Sequence, residues 1–213
     1  MRSLIKPGSI VIDVGASYGD EVIEMSDLVG PDGTVYAIEP NPIAFPALQR
    51  TVALNGLKNV VCINKAVGTK NGYVDFDNSR EIVSNNYASP GQENAIACIS
   101  LDSLWEEEIS PKKVSLIKID TDGFEIEVLK GAEGILSHNT DCEIISEYLP
   151  HLDYSGFKGK DTLHQFQKMG LGIHKIQMAA VPIDEQDFDE LINEMDNPLF
   201  MISHDLVLKK IKK

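Results

Sequence analysis

Basic residues are in short supply. The chain has 213 residues, with 19 Lys and Arg against 33 Asp and Glu, for a net charge of −14. Nucleic-acid-binding surfaces are usually basic stripes, so this balance argues against a nucleic-acid partner. The one basic cluster, Lys209-Lys210-Ile211-Lys212-Lys213, reads as a solvated end rather than a binding arm. Cysteine is scarce as well. Cys62, Cys98 and Cys142 stand far apart with no C-x-x-C, and they read as free thiols in a reducing compartment. No apolar run approaches membrane-spanning length, and no secretory h-region opens the chain. Together these absences imply a soluble cytoplasmic protein with no membrane partner. No repeat or linker divides the sequence and apolar content is an ordinary 43%, so one globular domain over 1–213 is expected. Oligomeric state is left open.

What is present begins with Ser9-Ile10-Val11-Ile12-Asp13-Val14-Gly15-Ala16-Ser17-Tyr18-Gly19-Asp20-Glu21. A β-branched run ends in an acid, a small-residue turn follows, and Val22, Ile23, Met25 and Val29 then recur at helical spacing. Gly15 and Gly19 remove Cβ atoms where the backbone bends and a ligand can approach. The amides opening the helix are donors for an anionic group. Three readings compete: a nucleotide or nucleoside cradle, a nucleophile elbow (the turn matches G-x-S-x-G), and a plain strand-helix turn. The elbow lacks its context of preceding strands. Thr34 to Asn41 supplies a second strand ending in Glu39, about twenty residues past the glycines, where an acid can accept both ribose hydroxyls. That favours the cradle. The missing third glycine of G-x-G-x-x-G counts against NAD.

Further along, Pro42 to Gly56 reads as a helix with Asn41 as its N-cap. Asn59 to Ile63 reads as a third strand. Asn71-Gly72 is a hairpin signal that would pair Lys65–Val67 with Tyr73–Phe76. Asp77 to Asn94 is polar and aperiodic and is expected to be a mobile loop that closes over the site. Ala95 to Ile99 is a short strand, and Ser100 caps the turn after it. Val114 to Ile119 is the fourth strand, followed by Asp122 and Glu125 at capping-box spacing and a helix that Gly131 interrupts. Asp141 to Ser146 is the fifth strand. Asp161 caps a helix through Met169, and Ile173 to Met178 is a sixth strand. Asp184 to Met195 is an acidic helix, and Leu206 to Ile211 is the last strand. The β-α-β-α alternation argues a doubly wound parallel sheet, whose ligands bind beyond the strand C-termini. Asp13, Glu39, Asp120 and Glu147 all fall there.

At this point the sequence resembles a known family. Val11 to Asp20 is similar to the first motif of class I S-adenosylmethionine-dependent methyltransferases, and Tyr36 to Asn41 to the second. Leu116-Ile117-Lys118-Ile119-Asp120-Thr121-Asp122-Gly123-Phe124-Glu125-Ile126-Glu127-Val128-Leu129-Lys130-Gly131-Ala132 resembles the FkbM signature, K-x-D-x-x-G-x-E followed by V-L-x-G. Ser100 to Leu104 fits it too. The resemblance implies a Rossmann-like α/β fold with a seven-stranded, mostly parallel sheet of order 3-2-1-4-5-7-6, strand 7 antiparallel. It implies adenosylmethionine as methyl donor and a small-molecule hydroxyl, on a sugar or secondary metabolite, as acceptor.

By that resemblance Gly15, Ala16, Ser17 and Gly19 flank the methionine end of the donor. Asp13 and Asp20 are candidates for contacts with its ammonium. Glu39, with Pro40 beside it, holds the ribose, Lys65 and Ala66 border the adenine, and Asp120 closes the pocket. Asp120 and Glu147 end neighbouring strands and are the candidates for catalytic base, with His151 next. Joint coordination of Mg²⁺ is a second role open to the pair, and a cap for the following turn is a third. The loops Asp77–Asn94, Leu149–Lys160 and Ala179–Phe200 would shape the acceptor pocket. An NAD-dependent oxidoreductase and a degenerate nucleoside-binding module remain the rival readings.

Overall fold

The β-branched run forms β1 (Ile10–Val14) at the centre of an eight-stranded sheet. The computed structural model describes residues 1–77, 82–148, 159–176, 180–195 and 204–211. After β1 come α1 (Asp20–Val29), β2 (Thr34–Ile38), α2 (Ala44–Leu54) and β3 (Val60–Ile63). Next are β4 (Ala66–Val67), β5 (Gly72–Asp77), β6 (Ile82–Tyr87), β7 (Ala95–Ile99) and α3 (Leu101–Leu104), which runs into a π-helical turn, Trp105–Ile109. Then follow β8 (Val114–Ile119), α4 (Glu125–Lys130), α5 (Glu133–His138), β9 (Glu143–Tyr148), α6 (Lys160–Lys168), β10 (Leu171–Ile176) and β11 (Ala180–Ile183). A 3₁₀ turn, Glu185–Asp187, leads into α7 (Phe188–Met195), and β12 (His204–Lys210) comes last.

The main sheet runs β3-β2-β1-β8-β9-β12-β10-β11. Its first seven strands have the expected order 3-2-1-4-5-7-6, and β12, the seventh, is antiparallel to both neighbours. The correction is an eighth strand. β11 adds to the edge as a hairpin on β10, pairing Ile173 with Ile183 and Ile176 with Ala180. Both sheet faces are covered, so successive residues of one strand enter different cores, as in parallel sheets generally. Ile10, Ile12, Val14, Ile117, Ile119 and Ile144 pack against the layer containing Leu101, Ile126, Leu129 and Phe166. Val11, Leu116, Ile145 and Val207 pack against Val22, Met25 and Val29 of α1 and Leu48 of α2.

Several local expectations are corrected. Lys65–Val67 does not form a hairpin with β5. In a second sheet of order β4-β7-β5-β6, β7 inserts between them, parallel to β4 and antiparallel to β5. Part of the supposed loop Asp77–Asn94 is β6, paired with β5 through Val74–Tyr87 and Phe76–Val83. An existing edge supplies ladder hydrogen bonds that a polar sequence signals poorly. Residues 78–81 lie outside the described residues. Asp122 is not a cap: it sits at φ 53, and Phe124 precedes α4 without a capping side chain. Asp161 falls in the first turn of α6, which starts after Gly159. Helical structure after Asp184 begins as the 3₁₀ turn, with Asp184 and Asp187 capping reciprocally. The basic end is partly tied down, Lys209 to Glu143 at 2.7 Å and Lys210 to the Leu136 carbonyl at 3.3 Å.

Asn41 does cap α2, accepting from the amides of Ile43 (2.8 Å) and Ala44 (3.3 Å). Ser100 caps α3. Gly131 lies between α4 and α5, and a Cβ there would lie 2.1 Å from the Gly68 carbonyl oxygen. Its φ is not positive, so the demand is steric alone. Gly131→Ala is therefore expected to destabilise by about 1–3 kcal/mol through overpacking, measured by urea unfolding. An unchanged midpoint would refute this account of the glycine.

Candidate active site

The turn after β1 is built by contacts within the chain. Gly15 has φ 85, and a Cβ there would sit 1.8 Å from the main-chain oxygen of Asp120. A Cβ on Gly19 would meet Leu48 Cδ1 at 2.6 Å. The two glycines thus let β1 approach the end of β8 and let α1 pack on α2. The turn's amides are spent internally too. Those of Gly15 and Ala16 donate to the Ile38 carbonyl at 2.9 and 3.0 Å, and that of Ser17 donates to Glu39 Oε2 at 2.7 Å. Glu39 Oε1 accepts from the Asn41 amide at 2.7 Å. Burial pushes the Glu39 carboxyl above its usual range, and these two amides pull against that. Each Glu39 oxygen keeps a second lone pair for a hydroxyl.

Beyond the strand ends lies a cleft of about 70 Å³. Of the candidate residues, Gly15, Glu39, Pro40, Lys65 and Asp120 line it. Val67 and Phe124 give it apolar walls, and Thr121 and Asp122, the latter read from the sequence only as a cap, complete the rim. The remaining candidates lie elsewhere. Ala16 is buried in the core under α1. Ser17 reaches the site through its amide only. Gly19 packs under α2. Asp20 is exposed and lines a separate surface trough with Ile23 and Glu24. Ala66 is buried in the second sheet with Val74 and Cys98. His151 lies outside the described residues, as does most of the loop around it. The turn after β8 is held by Glu125, whose Oε1 accepts from the Thr121 amide, the Thr121 hydroxyl and the Gly123 amide at 3.2, 3.0 and 3.1 Å.

Behind the cleft, alternation along the strands places charges on the α1 face. Asp13 on β1 is in register with Lys118 on β8. Lys118 Nζ stands 2.7 Å from Glu21 Oε2, 2.9 Å from Asp120 Oδ2 and 3.9 Å from Asp13 Oδ1. Burial works against the Asp120 carboxylate, but hydrogen bonding from Glu147 and the charge and hydrogen bond of Lys118 outweigh it and hold Asp120 below its ordinary range. Asp13 is 1% exposed, and neither of its oxygens has a hydrogen-bond partner among the described residues. Burial, only partly offset by Lys118, pushes it up to about 7. Lys118 and Glu21 were not assigned roles from the sequence. The available signal was a lysine alternating into an apolar strand opposite an acid.

A family model described as the methyltransferase FkbM domain matches residues 13–197. The chain belongs to the FkbM methyltransferase family. Among solved structures, the FkbM methyltransferase of Methylobacillus flagellatus superposes with a TM-score of 0.58 at 15% identity, covering 97% of this chain and 48% of that one. The Aeropyrum pernix fibrillarin, solved with natively bound S-adenosyl-L-methionine, gives 0.55 at 14% identity, covering 96% and 67%. Both likenesses are of fold. In sequence, the rat rRNA 2′-O-methyltransferase fibrillarin is 57% identical over 35 residues, 16% of this chain and 11% of its own length. A fibrillarin-like rRNA/tRNA 2′-O-methyltransferase of Pyrobaculum aerophilum is 28% identical over 93 residues, 44% of this chain and 40% of its own. The chain thus spans well under half the length of these curated relatives.

Family membership removes the oxidoreductase reading. The fibrillarin matches correct a second expectation: relatives named for RNA substrates overturn the exclusion of a nucleic-acid partner drawn from net charge. Net charge sums acids wherever they sit, including buried ones such as Asp13 and Glu39. The Mg²⁺ role gains no support. The described residues hold no group of three His, Cys, Asp or Glu side chains fit for a metal, and Asp120 is engaged with Glu147 and Lys118.

The raised pKa of Asp13 has a signed consequence. Its folded form binds a proton more tightly than the unfolded form, whose pKa is about 3.9. The folded state therefore loses stability as pH rises from about 4 to about 7 and stays penalised above that. Asp13→Asn removes this slope. Its Tm relative to the parent should climb between pH 5 and pH 8 in a thermal-melt series. A difference that stays flat across the range would mean that Asp13 is not held protonated near neutrality.

Proposed function

We propose that the chain is an adenosylmethionine-dependent O-methyltransferase whose acceptor is a sugar hydroxyl. The observation that carries this reading is the carboxyl pair Asp120–Glu147, its Asp120 member on the cleft wall beside a buried lysine. The cleft fits the donor in charge: Glu39, Asp120 and Asp122 face a ligand that carries sulfonium and ammonium groups, with Asp13 behind them. Bound there, the donor would supply an electrophilic methyl group. Glu39 would take the ribose hydroxyls, Pro40 and Lys65 would flank the base, and Gly15, Asp120 and Asp13 would stand toward the methionine end. Ser17 would act through Glu39, which its amide orients. Ala16, Gly19 and Ala66 would shape the backbone from behind.

A neutral hydroxyl is a poor nucleophile, and a positioned base typically contributes about 10²–10⁴ to its rate. Asp120 is ionised at neutral pH and can accept the acceptor's proton as the methyl group reaches the oxygen. Glu147 holds the Asp120 carboxylate in place. Val67 and Phe124 keep water from one side of the cleft. The fibrillarin matches favour a ribose 2′-hydroxyl within the class of sugar hydroxyls, so the acceptor panel should contain RNA beside free glycosides.

Three measurements bear on this reading. S-adenosylhomocysteine at a hundredfold excess over its Kd should stabilise the chain by about 2.7 kcal/mol, and NADH should not. Indifference to S-adenosylhomocysteine at millimolar concentration would remove the donor. Glu39→Ala should weaken S-adenosylhomocysteine binding by roughly one to two decades, since a hydrogen bond to a charged group is worth about 1.5–3 kcal/mol. It should also lower the ligand-free Tm, because the amides of Ser17 and Asn41 lose their acceptor. Unchanged calorimetric affinity would exclude Glu39 from the donor site. Asp120→Asn keeps the shape and removes the charge, so methyl transfer to whichever acceptor yields a methylated product by mass spectrometry should fall a hundredfold or more. A rate that survives would dismiss Asp120 as the base.

A further inference from the structure

Acids make up 33 of the 213 residues, yet none falls between Glu39 and Asp75. That stretch builds α2, β3 and β4. With β3 the main sheet ends, and its one neighbour among the described residues is β2. Edge strands are templates for further pairing and are commonly blunted by charge or proline. The opposite edge of this sheet is blunted so, since β11 carries Pro182. β3 reads Val60-Val61-Cys62-Ile63, with neither charge nor proline. None of its residues is buried, whereas every residue of β1 is. The surface beside it is apolar too. Ile43 and Leu54, at the two ends of α2, are 68% and 74% exposed, and Val61 is 42% exposed.

The ladder fixes which backbone groups are open. The carbonyls of Asn59 and Ile63 accept from the amides of Val35 and Glu39 at 2.8 and 3.0 Å. Along a strand, alternate residues turn their N–H and C=O to opposite sides. Val61 therefore faces β2 with Asn59 and Ile63, and Val60 and Cys62 aim theirs out of the sheet. We propose that this edge is the twofold interface of a homodimer, with β3 of a second copy added antiparallel. A strand paired antiparallel with its own copy is self-complementary, as a twofold contact must be. Within β3 one register uses both open residues: Val60 of each copy exchanges hydrogen bonds with Cys62 of the other, and Val61 meets its own counterpart on the axis. The same register sets Lys58 opposite Asn64 and Leu57 opposite Lys65, so no like charges confront each other. Charge selects the surface as well. Two chains of net charge −14 repel, and they approach most easily where neither presents a carboxylate. Asp20, Glu24, Asp27 and Asp32 stand back across a surface trough from Val61, on α1 and the turn after it. The axis is perpendicular to the sheet and brings both copies of α2 to one face of a sheet continuous through the dimer.

Sedimentation equilibrium of the whole chain should show a dimer. Val61→Lys sets two ammonium groups together on the axis and should weaken dimerisation by roughly a decade or more, since like charges directly opposite in a sheet repel and the valine pair is lost. Its fold is checked by circular dichroism. Amide hydrogen exchange reads the register: exchange at Val60 and Cys62 should slow as protein concentration rises, which a dimer through another surface would not produce. In a Cys62→Ser background, Val61→Cys should cross-link two copies on mild oxidation, because the Cα atoms of a pair without mutual hydrogen bonds stand about 4.5 Å apart, within disulfide reach. A parent chain that stays monomeric at every accessible concentration overturns the proposal and leaves the edge to a strand from a different protein. A dimer whose dissociation constant is unchanged in folded Val61→Lys overturns it too and places the interface elsewhere. If Val61→Lys does not fold, exchange and cross-linking carry the test, and exchange at Val60 and Cys62 that ignores concentration, with no cross-link, overturns the proposal.

Discussion

One ammonium group on the sheet face organises the chemistry of this chain. Taking charges out of water costs several kcal/mol each, and the interior returns that only where partners are close and well aligned. Lys118 meets the condition with Glu21 and Asp120 and leaves Asp13 wanting. The shortfall has a consequence. Asp13 sits where a small change in charge nearby, such as a cation in the cleft, decides whether it is ionised near neutral pH. Asp120, by contrast, is committed to its ionised form. Two acids at the ends of adjacent strands thus titrate differently: burial, only partly offset by Lys118, raises Asp13, whereas the partners of Asp120 outweigh its burial.

The fold was largely legible because parallel sheets write themselves plainly. Strands buried on both faces are continuous apolar runs, and Ile10–Val14, Val114–Ile119 and Glu143–Tyr148 each lie where such a run or its acidic end stood in the sequence. Strand order came from the family signature rather than from the residues, since periodicity cannot say which neighbour a strand chooses. What failed were the edges. β6 and β11 are short additions to existing edge strands, and their hydrogen bonds come from a partner the local sequence does not name. The hairpin expected at Asn71-Gly72 failed for the same reason: a local turn signal was overruled by β7, more than twenty residues away, which took the place beside β4.

At the site, the strand-end acids were found because their positions follow from topology. The roles given to the small residues did not follow so well. Gly15 and Gly19 looked like room for a ligand. The atoms that exclude a Cβ there belong to Asp120 and Leu48, so the same pattern would be required with no ligand at all. Gly15 still earns its place in the cleft, since holding β1 against the end of β8 brings Asp120 to the wall. Ser17 contributes an amide to Glu39 rather than a side chain to the donor. In such turns the sequence records what the backbone must do, and a ligand contact can be read only where a side chain is left over after the fold has used what it needs.

Net charge misled in a related way. A total of −14 weighs every acid alike, whereas Asp13, Glu39 and Glu125 are buried and face no macromolecular partner. Glu125 organises the turn after β8, Glu39 ties the turn after β1 to the end of β2, and Asp13 answers Lys118. These acids serve the architecture of the cleft. What an acceptor meets is the rim, where Asp120, Asp122 and Lys65 stand together. Burial and its neighbour Asp120 push the Asp122 carboxyl upward from its ordinary value. A single sugar hydroxyl needs only to reach this spot. Whether the sugar belongs to a small molecule or to a longer chain is settled by surfaces further out, where charge is sensed locally and screened within about 10 Å.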